Sequence, residues 1–582
     1  MNLIADLKRR KVFKVGVAYL VVGWVLIQVA ATVGPQLELP DWAPRLITVT
    51  VALGFPIALV LSWIFDIGPG GLRREAAFDG PASSATAGAM APQIASAAET
   101  ASAIPRKSIA VLPFADLSPT HDQEYFSDGI AEEILNALMK LKDLKVAGRT
   151  SSFSFRGRNE DLRGIGKTLS VAHVLEGSVR KHGDKVRITA QLIQTGDGYH
   201  LWSESYDGEL SDVFELQERI ARAITRELDV ILHDGCRLVP VATSSPEAYA
   251  LYLQATDIFN RRDGNRFFEA IDMLHQAIAL DPRFARAHAR LTVIHALEPI
   301  YTPNLVDGVA EKVRSHAALA SGLDASLGEP YAAIAMMCLQ QRRLIESREA
   351  IEHALALQPD DSPTRYWAGA ITIATGYTKL GCAHLDHVLA IDPLYPIALL
   401  WRGQQYANMG DMDRAEVMLQ HSVDTGLMHA WLGMHEVTAA RGRIPEAVAQ
   451  LTRALIVLGA SLPDGAPAVL AQGVYGDAEA RNRAFALMDR FVASQPRLMP
   501  GAIPYVLLLL GDGPRALDLR LHYRSTNDVM FFHRLWIPAL KPLRQSPEFR
   551  AFAREIGLTA LWDRYGPPDG ARRDASGEYV WD

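Results

Sequence analysis

The chain has 582 residues, 59 Lys or Arg against 66 Asp or Glu, a net charge of −7, 49% hydrophobic and 21% charged residues. That length suggests about four units of roughly 150 residues, and the composition excludes a disordered polyelectrolyte or a polytopic transporter. The charge balance supplies no overall footprint for nucleic acid, and none is expected as a partner. Cys236, Cys338 and Cys382 are too widely separated for a disulfide framework or a metal knuckle and read as reduced thiols.

Residues 1–14 form a basic N-terminus with Lys8, Arg9, Arg10, Lys11 and Lys14. The uncharged runs 15–37 and 46–65 each come close to or exceed the roughly 20 apolar residues needed to cross a bilayer. They predict a two-helix transmembrane hairpin, with the lipid bilayer as a partner through residues 15–65. The length of the first run and the lack of a small-x-small site argue against a cleaved leader. Arg73 and Arg74 follow the second run and Arg45 alone lies between the two. The positive-inside rule therefore predicts a two-pass inner (cytoplasmic) membrane protein with both termini cytoplasmic. Residues 78–105, rich in Ala, Ser and Pro, read as a flexible linker.

Order resumes in a domain spanning 106–235. Ser108–Phe114 reads as a buried strand, and a helix follows with Ser127 or Asp128 as cap and Ile130, Ile134, Leu135, Leu138 and Leu141 at helical spacing. Further strands are expected at 144–149, 172–180, 185–195 and 199–206, with helices over 161–169 and 213–232. The polar turn His182-Gly183-Asp184 predicts a hairpin. The pattern implies an α/β domain whose sheet mixes parallel and antiparallel neighbours.

Ser108-Ile-Ala-Val-Leu-Pro-Phe114, Tyr125-Phe-Ser-Asp-Gly129, Arg149-Thr-Ser-Ser-Phe153, Leu175-Glu-Gly-Ser-Val179, Ala190-Gln-Leu192 and Leu201-Trp202 together resemble the TolB amino-terminal-like domain of bacterial signalling proteins. In that family the domain often precedes tetratricopeptide repeats and follows an adenylate cyclase or winged-helix module. Residues 1–105 hold only the predicted hairpin and linker, so the resemblance implies a fold and a bacterial inner-membrane setting without either effector activity.

Three fragments within this domain invite a chemical reading. Gly164-Ile-Gly-Lys-Thr168 matches the end of a phosphate-binding loop, but Asp161 occupies the position of its first glycine, so a surface helix is the simpler expectation. Ser127, Asp128 and His121 lack the strained elbow of a serine nucleophile. Arg149, Arg156, Arg158 and Arg163 could meet a phosphate or an acidic partner, against the plainer reading of a solvated edge.

From residue 245 a period dominates. Ala277-Ile-Ala-Leu-Asp-Pro282, Ala354-Leu-Ala-Leu-Gln-Pro359 and Val388-Leu-Ala-Ile-Asp-Pro393 repeat one helix-ending phrase, and the last two prolines are about 34 residues apart, the period of tetratricopeptide repeats. Pro299 and Pro303 place an insertion between the paired helices of one unit. In the unit 396–429, Gly403 permits a close crossing, Gly410 ends the first helix, and Ala415 and Leu419 pack the second. Four well-supported repeats and a weaker successor are expected over 245–460, forming an all-α tetratricopeptide solenoid with a concave groove.

Such a groove binds protein partners through side chains of its inner helices. The candidates are Tyr331, Arg365, Trp367, Trp401, Arg402, Gln405 and Tyr406, with a core role as the alternative for each aromatic. His384 and His387 lie one turn apart, without a third ligand at suitable spacing. No cofactor, metal or catalytic residue is expected. Residues 461–582 read as a helical extension and cap, frayed beyond Gly570 unless Tyr579 and Trp581 anchor it. The sequence thus predicts a membrane-anchored, non-enzymatic scaffold or signalling adaptor. One alternative is a nucleotide-responsive or cyclase-associated regulator acting through the α/β domain; another, opposed by the basic flanks, is a periplasmic envelope-assembly factor.

Overall fold

A computed structural model describes residues 65–68, 71–74 and 104–581, apart from 158–160, 232–236, 262–263, 302–307, 459–461, 495–498 and 524–527. The chain divides into two units, Met1–Ala101 and Ser102–Asp582. In the first, β1 (Phe65–Gly68) and β2 (Gly71–Arg74) pair as an antiparallel hairpin. The predicted spans 15–37 and 46–65 and the linker 78–105 otherwise lie outside the described residues, apart from Phe65, Ile104 and Pro105. Among the described residues no helix is long and apolar enough to cross a membrane. Their longest helix has 17 residues, about 25 Å at the α-helical rise, short of a hydrocarbon core about 30 Å thick. That finding overturns the two-pass inner-membrane placement.

The second unit opens with a mixed sheet. Its strands are β3 (Ser108–Val111), β4 (Ala115–Asp116), β5 (Lys145–Val146), β6 (His173–His182), β7 (Lys185–Gln194) and β8 (His200–Glu209). The order is β5-β3-β6-β7-β8, with β4 also beside β6. Strand β3 runs parallel to β5 and β6, whereas β6, β7 and β8 form an antiparallel meander. Helices α1 (Glu124–Met139), α2 (Arg149–Phe153), α3 (Leu162–Leu169) and α4 (Val213–Glu227) complete the domain. Because successive strand residues face opposite sides, Ile109 and Val111 join the core under α1 and α4, whereas Ala110 and Leu112 join a second core with Ile165 and Leu169 of α3.

One local expectation changes and another holds. Helix α1 starts at Glu124, and Ser127 and Asp128 are buried inside it. The Asp116 carboxylate accepts from the N–H groups of Ser118 and Gln123, both at 2.8 Å, and so fixes the chain one turn before the predicted cap. The phosphate-loop fragment is helical: Asp161 caps α3, and Gly166 meets Thr195 too closely to admit a Cβ.

A long all-helical solenoid of tetratricopeptide-like form follows. Its helices are α5 (Pro246–Asn260), α6 (Phe267–Leu280), α7 (Ala285–Tyr301), α8 (Val309–Leu323), α9 (Glu329–Gln340), α10 (Leu344–Leu357), α11 (Ser362–Ala374), α12 (Thr378–Ile391), α13 (Pro396–Asn408), α14 (Met412–Asp424), α15 (Trp431–Ala440) and α16 (Ile444–Leu458). They pack as six consecutive pairs, more than the sequence count. Glycine brings the partners together: a Cβ on Gly403 would stand 2.8 Å from Leu419 Cγ, and Gly410 ends α13 at φ +82°. Pro299, expected in the insertion, lies inside α7.

Beyond the pairs come α17 (Ala466–Tyr475), α18 (Ala478–Ala493), α19 (Ala502–Leu509), α20 (Gly513–His522), α21 (Asp528–Arg534), α22 (Lys541–Arg544), α23 (Pro547–Glu555) and α24 (Leu558–Tyr565). The end is not frayed. Strands β9 (Ala571–Arg573) and β10 (Tyr579–Trp581) form a hairpin whose Tyr579 and Trp581 are buried. The Trp581 ring lies edge-on to Phe549 and Trp562, at 5.4 and 5.9 Å between centroids.

Candidate functional site

The first helix of each pair supplies the inner face of such a solenoid, and its two ends meet different neighbours here. The α/β domain meets the repeats at several places. Arg286, at the start of α7, pairs with Glu133 of α1 at 2.6 Å, and Leu253 of α5 fills the space a Cβ on Gly129 would need. Just before α13, the buried Asp392 carboxylate accepts from the Ser151 N–H at 2.6 Å and from its hydroxyl. The Gly148 N–H donates to the Ile391 carbonyl at 2.8 Å, and Leu394 closes the second core of the sheet. Burial raises the proton affinity of Asp392, and the Ser151 hydrogen bonds partly offset that rise.

The finishing ends carry the C-terminal extension. His533 Nε2 faces the Ala370 carbonyl at 3.1 Å, Trp536 donates to Ala374 at 3.1 Å, and Trp562 donates to Thr375 at 2.9 Å. The Ala374 and Thr375 carbonyls lie at the C-terminal end of α11, where helices leave acceptors unpaired. The Asp569 carboxylate accepts from the Lys379 N–H at 2.7 Å and from Thr378 Oγ1 at 3.0 Å. It thereby caps α12, whose own preceding residue, Tyr377, supplies no side-chain cap. Further along, the His533 ring lies 3.4 Å from that of Trp401 between centroids. His435 of α15 bonds Tyr475 at 2.5 Å and Tyr505 at 3.3 Å. Burial drives the proton affinity of His533 down to about 3 and that of His435 to about 4, so both rings are neutral near pH 7.

The seven candidate groove residues do not line one open surface. Trp367, Trp401 and Gln405 are buried, and the Trp401 indole donates to the Tyr366 hydroxyl at 3.2 Å beneath the extension. Arg402 pairs with Asp386 of α12 at 2.6 Å and stacks on Tyr406 at 4.1 Å. Tyr406 packs with Leu400, Ala415 and Leu419 between α13 and α14, so this pair turns toward the second helices. Arg365 donates to the Pro359 carbonyl at 2.7 Å, and Tyr331 meets His353 of α10 edge-on at 4.3 Å.

The other fragments take local roles. Arg149 pairs with Glu132, Arg156 with Glu124 and Asp128, and Arg163 donates to the Asp197 carbonyl; Arg158 lies outside the described residues. The Ser127 hydroxyl donates to the Gln123 carbonyl, whereas His121 faces that of Asp116. His387 faces Asp360 at 2.8 Å, and burial holds His384 near a pKa of about 4. Cys338 and Cys382 are free thiols, and Cys236 lies outside the described residues. Sequence reasoning missed Asp392, His533 and Asp569, whose partners lie 160 or more residues away.

A family model described as HilA/YgeH-like transcriptional regulator, second domain, matches residues 105–223, where the sequence alone points to a TolB amino-terminal-like domain. A protein of Rhizobium meliloti (strain 1021) named putative adenylate cyclase 3 is 41% identical over 201 residues, which cover 34% of this chain and 34% of its own. The match therefore spans about a third of that curated relative. Among solved structures, the APC/C hetero-tetramer Cut9-Hcn1 is similar at 12% identity and a TM-score of 0.34, over 61% of this chain and 62% of that one. A tetratricopeptide repeat protein from Parabacteroides merdae is similar at 14% identity and 0.29, over 46% and 100%. YrrB, described as a TPR protein with an unusual peptide-binding site, is similar at 15% and 0.22, over 34% and 92%. The repeat architecture of this chain rests on its own helix pairs.

Proposed function

We propose that this chain is a non-enzymatic, protein-binding adaptor whose partner engages the inner face of the first helices around Trp367, Trp401 and Gln405, in competition with the C-terminal extension. One observation carries the reading. The chain's own polypeptide is seated on that face by an imidazole packed at a tilt against Trp401 and by donors aimed at the carbonyls of Ala370, Ala374 and Thr375. A surface that holds one polypeptide segment through aromatic packing and helix-end carbonyls has the chemistry to hold another. The test compares affinity capture by the full chain with capture by His533→Ala, which loosens the extension, and Trp401→Phe, which keeps the packing but removes the indole donor. Capture of a common partner should rise in the first variant and fall in the second. Equal capture by all three proteins would refute the inner-face reading.

A second reading is a cyclase-associated or nucleotide-responsive regulator acting through the α/β domain. It is favoured by the similarity to putative adenylate cyclase 3. Calorimetric titration of the full chain with ATP, GTP and cyclic AMP tests it, and the absence of binding heat for all three would remove it.

A further inference from the structure

The repeat interior contains a polar cluster where solenoids ordinarily bury aliphatic side chains. His275 of α6, His295 of α7 and His316 of α8 bring one ring nitrogen each within 4.8 Å of one another. A fourth imidazole, His288 of α7, places its Nδ1 3.1 Å from Nδ1 of His316. These residues come from both helices of one pair and from the second helix of the pair before it. No local helix rule brings them together.

The surrounding bonds set the direction of the lone pairs. His295 Nδ1 lies 2.7 Å from Glu298 Oε2, so a proton on Nδ1 is held by the carboxylate and Nε2 is left as a lone-pair donor. This is the carboxylate–histidine arrangement that orients imidazole ligands behind metal ions. His288 Nε2 faces the Pro282 carbonyl at 3.3 Å, which leaves its Nδ1 lone pair toward His316. When His316 answers with Nδ1–H, its Nε2 is free. Burial and neighbouring imidazoles lower the proton affinities of His275, His288 and His316, the last to about 4. Lys312 acts electrostatically against added positive charge at His275 and His316, while Asp272 favours it at His275.

We infer that His275, His295 and His316 form a site for a divalent transition-metal ion of the zinc class, with Glu298 orienting His295 and His288 bracing His316. A tetrahedral ion with bonds of about 2.0–2.1 Å needs ligand nitrogens about 3.4 Å apart, so the imidazoles close by little more than an ångström through side-chain rotation. His295 is buried and forms the floor, whereas His275 is exposed and gives the ion a path from solvent. The bound ion clips the first two repeats together, and its binding free energy adds to their stability.

The experiment titrates the metal-stripped, tag-free full chain with Co2+, reading the visible d–d absorption of a tetrahedral or five-coordinate ion, followed by competition with Zn2+. One Co2+ per chain should bind and be displaced by Zn2+, with a Zn2+-dependent rise in melting temperature. His275→Gln removes an exposed ligand without touching the core and should abolish both signals. Glu298→Gln should weaken binding by about 10–100-fold, the effect of losing an orienting partner. Failure of wild type to bind one Co2+ with this spectrum overturns the assignment. So does undiminished binding in His275→Gln and His316→Gln, which would place the ion on other histidines.

Discussion

Replacing His533 by glutamine should remove a defined part of the acid sensitivity of this protein. The ring lies against Trp401, with Nε2 on the Ala370 carbonyl, and a glutamine amide can keep that donor. In the folded chain His533 resists protonation down to about 3 because it is buried, whereas an unfolded histidine takes up a proton near pH 6.5. Its folded-state pKa is depressed, so the unfolded chain binds more protons below about pH 6.5, and stability falls as pH drops from there toward about 3. Between about pH 7.5 and about pH 5.5 the unfolded state gains roughly RT ln 10, about 1.4 kcal/mol, from this one ring. His435, buried with a pKa of about 4, contributes a similar loss by the same arithmetic. Asp128 opposes them: its pKa is raised to about 6 by burial, so uptake of its proton restores about 0.8 kcal/mol over the same interval.

Urea unfolding of the full chain, followed by tryptophan fluorescence at both pH values, measures the difference directly. Wild type should lose about 1.4 kcal/mol more than His533→Gln on acidification. Glutamine forfeits the ring contact with Trp401, worth about 1 kcal/mol, a cost that is the same at both pH values and cancels in the comparison. Equal losses in the two proteins would refute the assignment of a buried neutral imidazole beneath the extension.

Asp392→Ala should cost about 3 kcal/mol, since Ser151 loses a buried acceptor for both its N–H and its hydroxyl; faster proteolysis between α4 and α5 reads the loosening. In Asp569→Ala the start of α12 loses its cap, which should lower stability by about 1 kcal/mol in urea unfolding and speed amide exchange in β9 and β10. Asp128→Asn should flatten the stability change between about pH 4 and about pH 6, because the raised carboxyl otherwise makes the fold more stable as pH falls through that window. Gly403→Val should destabilise by about 1–3 kcal/mol through the contact with Leu419, and thermal melting will show it.

Local features of the fold were legible where one segment carried the whole cause. Gly403, Gly410 and the recurring helix-ending phrase that closes on Pro282, Pro359 and Pro393 follow from helix crossing and helix termination, and the turn at His182-Gly183-Asp184 sets the hairpin of β6 and β7. Failures came where a distant residue supplied the missing group. Ser127 has the chemistry of a cap, yet Asp116 holds the chain a turn earlier and leaves Ser127 buried. Trp401 and Trp367 stand at groove positions of their helices, but the extension that covers Trp401 lies over a hundred residues downstream and its apolar stretch Ala-Ile-Pro-Tyr-Val-Leu-Leu-Leu has no helical stripe to reveal a partner. His275, His295 and His316 escaped notice because their spacing matches no ligand motif, and only stacking of α6, α7 and α8 unites them.

The placement of these distant partners bears directly on the proposed inner-face binding. The phrase that ends α12 resembles those ending α6 and α10, but the equivalent side chains do different work. Asp281 accepts from Thr243 and Gln358 accepts from Gly328, both within the repeats or their lead-in, whereas Asp392 reaches the α/β domain. Helices α11 and α12 are therefore held from two directions: Asp392 ties the end of α12 to α2, and Asp569 caps its start from the C-terminal extension. A perturbation that frees Asp569 or His533 removes support from the start of α12 and the end of α11 while leaving the Ser151–Asp392 bond in place. On the proposed reading the inner face should then open at Trp401 without dissociating the sheet domain, so that release of the extension and loss of domain docking are separable. Asp569→Ala and Asp392→Ala should consequently show additive stability losses. A shortfall of more than about 0.5 kcal/mol from the sum would mean that the two ends of α12 respond as one unit.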